Sequence, residues 1–214
     1  MTDVNLQLVR EFFELNLFRV LTQWQHVQGA PHLGEPGVFL FVENANPGPA
    51  QEPEFVLRLG DITAIQRAVV AVRAWHGDRI YASVVEANPV LTQVVEEGAL
   101  EQARAFYGER DFTTILVISQ LPASAEHRGR AIQVLQERGV GHVLEFPTML
   151  QGLLEKVSAN NTYAGSVTLQ ILRILKRYRL IRNQQMEFSF STEGSALIFT
   201  PHIETTVETD DAEE

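Results

Sequence analysis

The sequence contains no cysteine, which excludes a disulfide framework and any thiolate metal site. It has no apolar run of about 18 residues and no signal-type N-terminus, so a soluble, cytoplasmic protein with no membrane partner is expected. The histidines, His26, His32, His76, His127, His142 and His202, form neither an HExxH nor a His-x-His pair, and a zinc site is not expected from that spacing. Gly34 and Gly37 do not follow a strand pattern and no Gly-x-x-x-x-Gly-Lys run exists, so nucleotide-binding signatures are missing as well. No internal repeat is visible.

What is present is enough for one sizeable core: 214 residues, 45% hydrophobic and 21% charged, with 12 Phe. The formal charge of -10 is unevenly spread. Glu204, Glu208, Asp210, Asp211, Glu213 and Glu214 all fall at the C-terminal end, and setting these six aside leaves -4 for the body. Against that background Arg173, Lys176, Arg177, Arg179 and Arg182 make a basic cluster. This balance argues against non-specific nucleic-acid binding by the whole surface while leaving one basic patch open.

Along the chain, helical spacing of apolar residues from Leu6 to Leu21 predicts one long helix over 4–26, with Thr2 or Asp3 as N-cap. Glu11 and Glu14 on it read as solvated helix surface. Glycines and prolines predict a loop over 28–37, followed by a strand at 38–42, a loop over 44–53 and an alternating strand at 55–59. Residues 60–63 form a short connection, through one helical turn, into a strand at 67–75. A helix broken near Gly98 is predicted over 89–107, and a buried strand over 112–121. Then come a helix at 124–138 with Ser124 as N-cap, a strand at 143–146, a helix through Val157 and a helix over 166–181. In the last of these, Ile171, Leu172, Ile174, Leu175 and Tyr178 are expected to pack inward, with the basic cluster as its solvated face. Tyr163, Asn160 and Asn161 read as helix-boundary residues. A terminal hairpin pairs 187–191 with 196–200, and the acidic end is expected to be disordered. The organisation this implies is a core at 1–157, an appended helix and hairpin at 158–203 and an acidic tail at 204–214.

The run Arg67 to Trp75 belongs in the middle of a sheet because it is β-branched and small throughout. Strand alternation puts Val70 and Val72 on one face and Ala71 and Arg73 on the other. An arginine on the small-residue face of a central strand requires a partner or a cleft. Pairing with Asp61 and contact with a phosphate both meet that requirement. Trp75 and His76 at the strand's end read as core and rim.

The order of helix, three strands ending in Ala71-Val72-Arg73, helix, strand, helix and strand resembles the core of the PD-(D/E)xK nuclease superfamily. The resemblance covers roughly residues 4 to 157 and rests on element order and one degenerate tripeptide. It implies an α/β fold of restriction-endonuclease-like type, a three-layer sandwich with a central mixed sheet flanked by helices. In such nucleases, as the resemblance implies, an Asp near the second strand and an acid-x-Lys on the third hold Mg²⁺ and activate water, often with a helix-one Glu. Divalent magnesium favours hard oxygen ligands in octahedral geometry, and the two-residue strand period aims the acid and the lysine the same way. Carried over, Asp61 takes the second-strand position, Arg73 the lysine position and Glu14 or Glu11 the helix-one position, while Ala71 stands where the metal-binding acid belongs.

An alanine methyl cannot ligate metal, and an arginine fork does not replace a lysine point charge. The expected function is therefore that of a catalytically inactive nuclease-like module, without a cofactor, acting through a protein partner or by self-assembly. A Mg²⁺-dependent nuclease with a relocated acid, drawn from Glu43, Glu54 or Glu86 and with Asp61 as a metal ligand, is the alternative. So is a non-cleaving nucleic-acid-binding module using Arg173, Lys176, Arg177, Arg179 and Arg182.

Overall fold

A computed structural model describes residues 4–23, 39–48, 52–77 and 79–181. The first helix is α1 (Val4–Leu15), and it is shorter than its apolar spacing predicts. The Asn16 amide returns to the Phe12 carbonyl at 2.8 Å, and Leu17 adopts φ 66°, a left-handed turn that ends the helix. The next residues form a strand, β1 (Phe18–Gln23), where helix was expected. Leu17 is the reason: with its backbone turned, the chain reverses and Phe18 packs edge-on against Phe13 at 5.2 Å.

The remaining strands are β2 (Phe39–Asn44), β3 (Arg67–Arg73), β4 (Thr113–Ile118) and β5 (His142–Glu145). They lie in the order β1-β2-β3-β4-β5 in one mixed sheet. β1, β2 and β3 are an antiparallel meander, whereas β4 and β5 run parallel to β3. The parallel pairs require crossovers, and the chain supplies them as helices. Between β3 and β4 come α2 (Ala82–Ala87), a 3-10 helix at Pro89–Val95 and α3 (Glu97–Tyr107); between β4 and β5 comes α4 (Ala125–Glu137). Ser124 holds the N-cap position of α4 without a side-chain cap bond. After β5 follow α5 (Phe146–Lys156) and α6 (Val167–Arg177).

The predicted strand at 55–59 does not enter the meander. Only Val56 forms an isolated bridge, to Val143 of β5, while a 3-10 helix at Leu59–Ala64 carries the chain into β3. The physical reason is that β2 and β3 already pair with each other from Phe39↔Ala71 to Glu43↔Arg67, so no slot exists between them. The loop expected at 28–37, the hairpin at 187–200 and the tail lie outside the described residues.

Helices cover both faces of the sheet. Val70, Val72, Ile115 and Val117 are buried against α1, α5 and the Leu169 end of α6, with Val9, Phe12 and Phe13 filling the centre. Gly152 lets α5 approach α1: an added Cβ there would sit 2.7 Å from Phe12. The opposite face packs Phe39, Phe41, Val69, Ala71, Leu116 and Ile118 against the segments between β3 and β4 and against α4. Tyr107 closes the start of this layer, and its hydroxyl meets the carbonyls of Val42 at 3.0 Å and Ala68 at 2.8 Å. Burial pushes its ionisation well above the ordinary phenol range.

Candidate functional site

The centre of β3 is where a nuclease-like site would sit. Ala71 is 1% exposed, and its register partners are Phe39 on β2 and Leu116 on β4. Side chains directly opposite on paired antiparallel strands lie about 4.5–5.5 Å apart at Cβ, close enough for two carboxylates to share one cation. Here the facing pair is Phe39 and Ala71, both inside the apolar layer.

Two residues along, Arg73 points to the same face and is held by the neighbouring crossover. Its Nε donates to the Val90 carbonyl at 3.2 Å and Nη2 to Gln93 Oε1 at 3.0 Å, while Nη1 donates to the Val72 carbonyl at 2.9 Å. The fork thus bolts the 3-10 helix at Pro89–Val95 onto the end of β3, which meets the need for a partner. Asp61 does not supply it. The Asp61 carboxylate accepts from the Arg58 backbone N–H at 2.9 Å, within the turn that precedes β3. Arg73 ends that seven-residue strand, about 20 Å from its first residue at the rise of an extended chain.

Glu14 is no nearer to Arg73. It pairs with Arg10 at 2.8 Å on the outer surface of α1, on the other side of the sheet. The three acids that could have migrated are also engaged or exposed elsewhere. Glu43 accepts from Arg110 at 2.7 Å and Arg67 at 3.1 Å at the start of β3, Glu54 pairs with Arg58 at 3.0 Å, and Glu86 is exposed on α2. Asp61, Arg73 and Glu14 therefore occupy three separate places. Among the described residues, no group of three or more His, Asp or Glu side chains is placed to hold a metal ion.

Glu11, expected on the solvated surface, is 5% exposed. Its carboxylate accepts from the hydroxyls of Ser166 and Thr168 and from Gln7 Nε2 at 3.0 Å. Ser166 also caps α6 by accepting from the Leu169 N–H at 3.0 Å. A cavity of about 470 Å³ opens beside this carboxylate, lined by Arg10, Glu14, Tyr163 and Gly165 among others. The arrangement satisfies a buried anion with neutral donors and ties α1 to the start of α6. Sequence could not reveal it, because Glu11 and Ser166 are 155 residues apart.

The basic cluster is likewise redistributed. Lys176 Nζ donates to the carbonyls of Leu154 and Val157, the latter at 2.7 Å, and so caps α5. Arg173 is half-buried, its Nη1 on Gln170 Oε1 at 3.4 Å and its Nε without an acceptor. Arg177 and Arg179 are exposed, and Arg182 lies outside the described residues. Among the described residues of the cluster these two solvent-facing cations would contribute a salt slope of only about -1.8 on duplex DNA.

α6 also departs from its predicted orientation. Leu169 is its buried contact and Leu172 packs inward as expected, whereas Ile171 (51% exposed), Ile174 (46%) and Tyr178 (72%) face outward rather than inward, in line with Val167 (71%). At 100° per residue these four fall within roughly 60°, opposite Leu169, Leu172 and Lys176. The helix is apolar on two sides, and among the described residues only one of them is packed. Trp75, at the end of β3, is 43% exposed.

No protein-family model matches this chain, and no curated protein or solved structure matches it significantly. No helix among the described residues is long and apolar enough to cross a membrane.

Proposed function

We propose that this chain is a non-cleaving, restriction-endonuclease-like module that works by binding a protein. The single observation carrying the reading is that Ala71, where the resemblance implies the metal-binding acid, is buried and faces Phe39 on the neighbouring strand. A methyl and a phenyl ring offer no lone pair to a dication, and their shared apolar layer leaves no water to activate. Element order supports the fold half of the reading. A first helix, an antiparallel three-stranded meander and a strand parallel to the third reached by a helical crossover are what the resemblance asks for.

The binding half rests on α6. Its outward stripe is apolar over three turns, and surface of that kind is retained in monomers chiefly where something docks. Arg73, in this reading, is a structural bolt rather than a phosphate ligand.

The test is a cleavage assay on single- and double-stranded DNA and RNA with Mg²⁺ or Mn²⁺. No metal-dependent cleavage above a buffer control is expected. Cleavage that disappears in Asp61→Ala or Glu43→Gln would instead establish a nuclease whose acid has relocated.

A further inference from the structure

We infer that the outward face of α6 is the seat of an acidic amphipathic helix from a partner protein. This rests on the binding-module reading above and names the partner's chemistry. The stripe Val167, Ile171, Ile174 and Tyr178 has the spacing i, i+4, i+7, i+11 and is exposed along its length. Eleven helical steps make it about 16 Å long, and a stripe roughly 60° wide is the seam of a helix pair rather than a broad buried face.

Charge selects among occupants. From Ser166 to Ile181 the chain carries Arg173, Lys176, Arg177 and Arg179 and no acid at all. Arg177 is exposed and lies on one flank of the stripe, about 60° from its edge, with Arg179 just past the end of the helix. Carboxylates on a docked helix would pair with this flank, whereas a two-fold pairing of α6 with itself would set arginines against arginines. Three of the four stripe residues are aliphatic and β-branched, so Tyr178 offers the stripe's single ring for stacking while Val167, Ile171 and Ile174 would strand apolar surface against phosphates, which argues against nucleic acid. A bilayer-seated helix rests on a wider apolar face than this one offers.

The experiment uses the full chain and three fluorescein-labelled synthetic 21-residue peptides. One has Leu at the a and d positions of three heptads and Glu at e and g; the second has Lys at e and g; the third scrambles the first. Fluorescence anisotropy should show the Glu peptide binding at least about tenfold more tightly than the other two. The change Ile171→Glu with Ile174→Glu should abolish that preference without lowering the melting temperature of a helix face already in water. Arg177→Glu should weaken the Glu peptide and strengthen the Lys peptide, and this exchange carries the test should the double variant fail to fold.

Equal binding of all three peptides, or of none, overturns the inference. So does saturable binding to vesicles containing phosphatidylserine, or dimerisation in sedimentation, that is lost in the same variants. The two proposals fail separately. A chain that cuts nucleic acid refutes the non-cleaving reading whatever the peptides do, whereas an inert chain indifferent to the Glu peptide refutes only the partner chemistry.

Discussion

Replacing Ala71 by Glu introduces an acid at the position where the proposed nuclease-like reading calls for one, and the packing around it sets the cost. Ala71 is 1% exposed, between Phe39 at 2% and Leu116 at 0%, with Phe41, Val69 and Ile118 on the same face. Extending the methyl to the length of a glutamate overfills that layer, at about 1–3 kcal/mol. The carboxyl adds its own penalty. Keeping it protonated at pH 7 against an ordinary pKa of about 4.3 costs about 3.7 kcal/mol, and leaving it ionised and unpaired costs more. The sum, about 5–7 kcal/mol, is comparable with the whole stability of an ordinary domain.

Ala71→Met supplies nearly the same volume without the charge, so the difference between the two variants isolates the carboxylate. Urea unfolding at pH 7 should place Ala71→Glu about 3–4 kcal/mol below Ala71→Met. That gap should narrow as pH falls toward 4: burial raises the folded-state pKa, so the neutral form, favoured in the fold, prevails below the unfolded value and is lost above it. Adding Arg73→Lys should lower stability further, since it removes the fork that holds Val90 and Gln93. Mn²⁺ should rescue neither. If Ala71→Glu were as stable as Ala71→Met and gained stability in millimolar Mn²⁺, the position would have room, water and a second ligand, and the packing argument would fail.

Ser166→Ala removes both a donor to the buried Glu11 carboxylate and the N-cap of α6, so a loss of about 1–3 kcal/mol in denaturant unfolding is expected; a change below about 0.3 kcal/mol would mean the tie between α1 and α6 is not formed. Tyr107→Phe leaves the Val42 and Ala68 carbonyls short of a partner, at about 1–2 kcal/mol near neutral pH. Because the folded-state ionisation of Tyr107 is raised, wild type should lose this group's contribution as pH climbs above about 10, and the gap to Tyr107→Phe should close there. A gap that stays constant to pH 11 would contradict the burial of that hydroxyl.

The central strands were legible because β3 and β4 are continuous runs buried on both faces, and so were α4, α5 and the break ahead of α3. β1 was hidden because Phe18, Val20 and Leu21 continue the helical period of α1, and the break is made by a left-handed leucine that no glycine or proline announces. Taking 55–59 as a meander strand had a consequence for the site. It set Asp61 just past a strand of the sheet, whereas Asp61 lies in the 3-10 turn ahead of β3 and the residue paired with Ala71 across the sheet is Phe39. Arg73 was recognisable as a buried arginine needing a partner, but its acceptors, a carbonyl and an amide some 20 residues on, depend on how the crossover folds back. On α6 the helical period identified an amphipathic helix and could not tell which of two apolar sides would face the fold.

Mn²⁺ added to ¹⁵N-labelled protein tests the sealed β3 position most directly, because a paramagnetic ion broadens amide signals close to where it binds. The account predicts that the amides of Phe39, Ala71 and Arg73 keep their intensity at one equivalent of Mn²⁺, with any broadening confined to exposed acids and weak. Selective loss of those three signals at one equivalent, reversed by EDTA, would place a metal at the centre of β3 and contradict it.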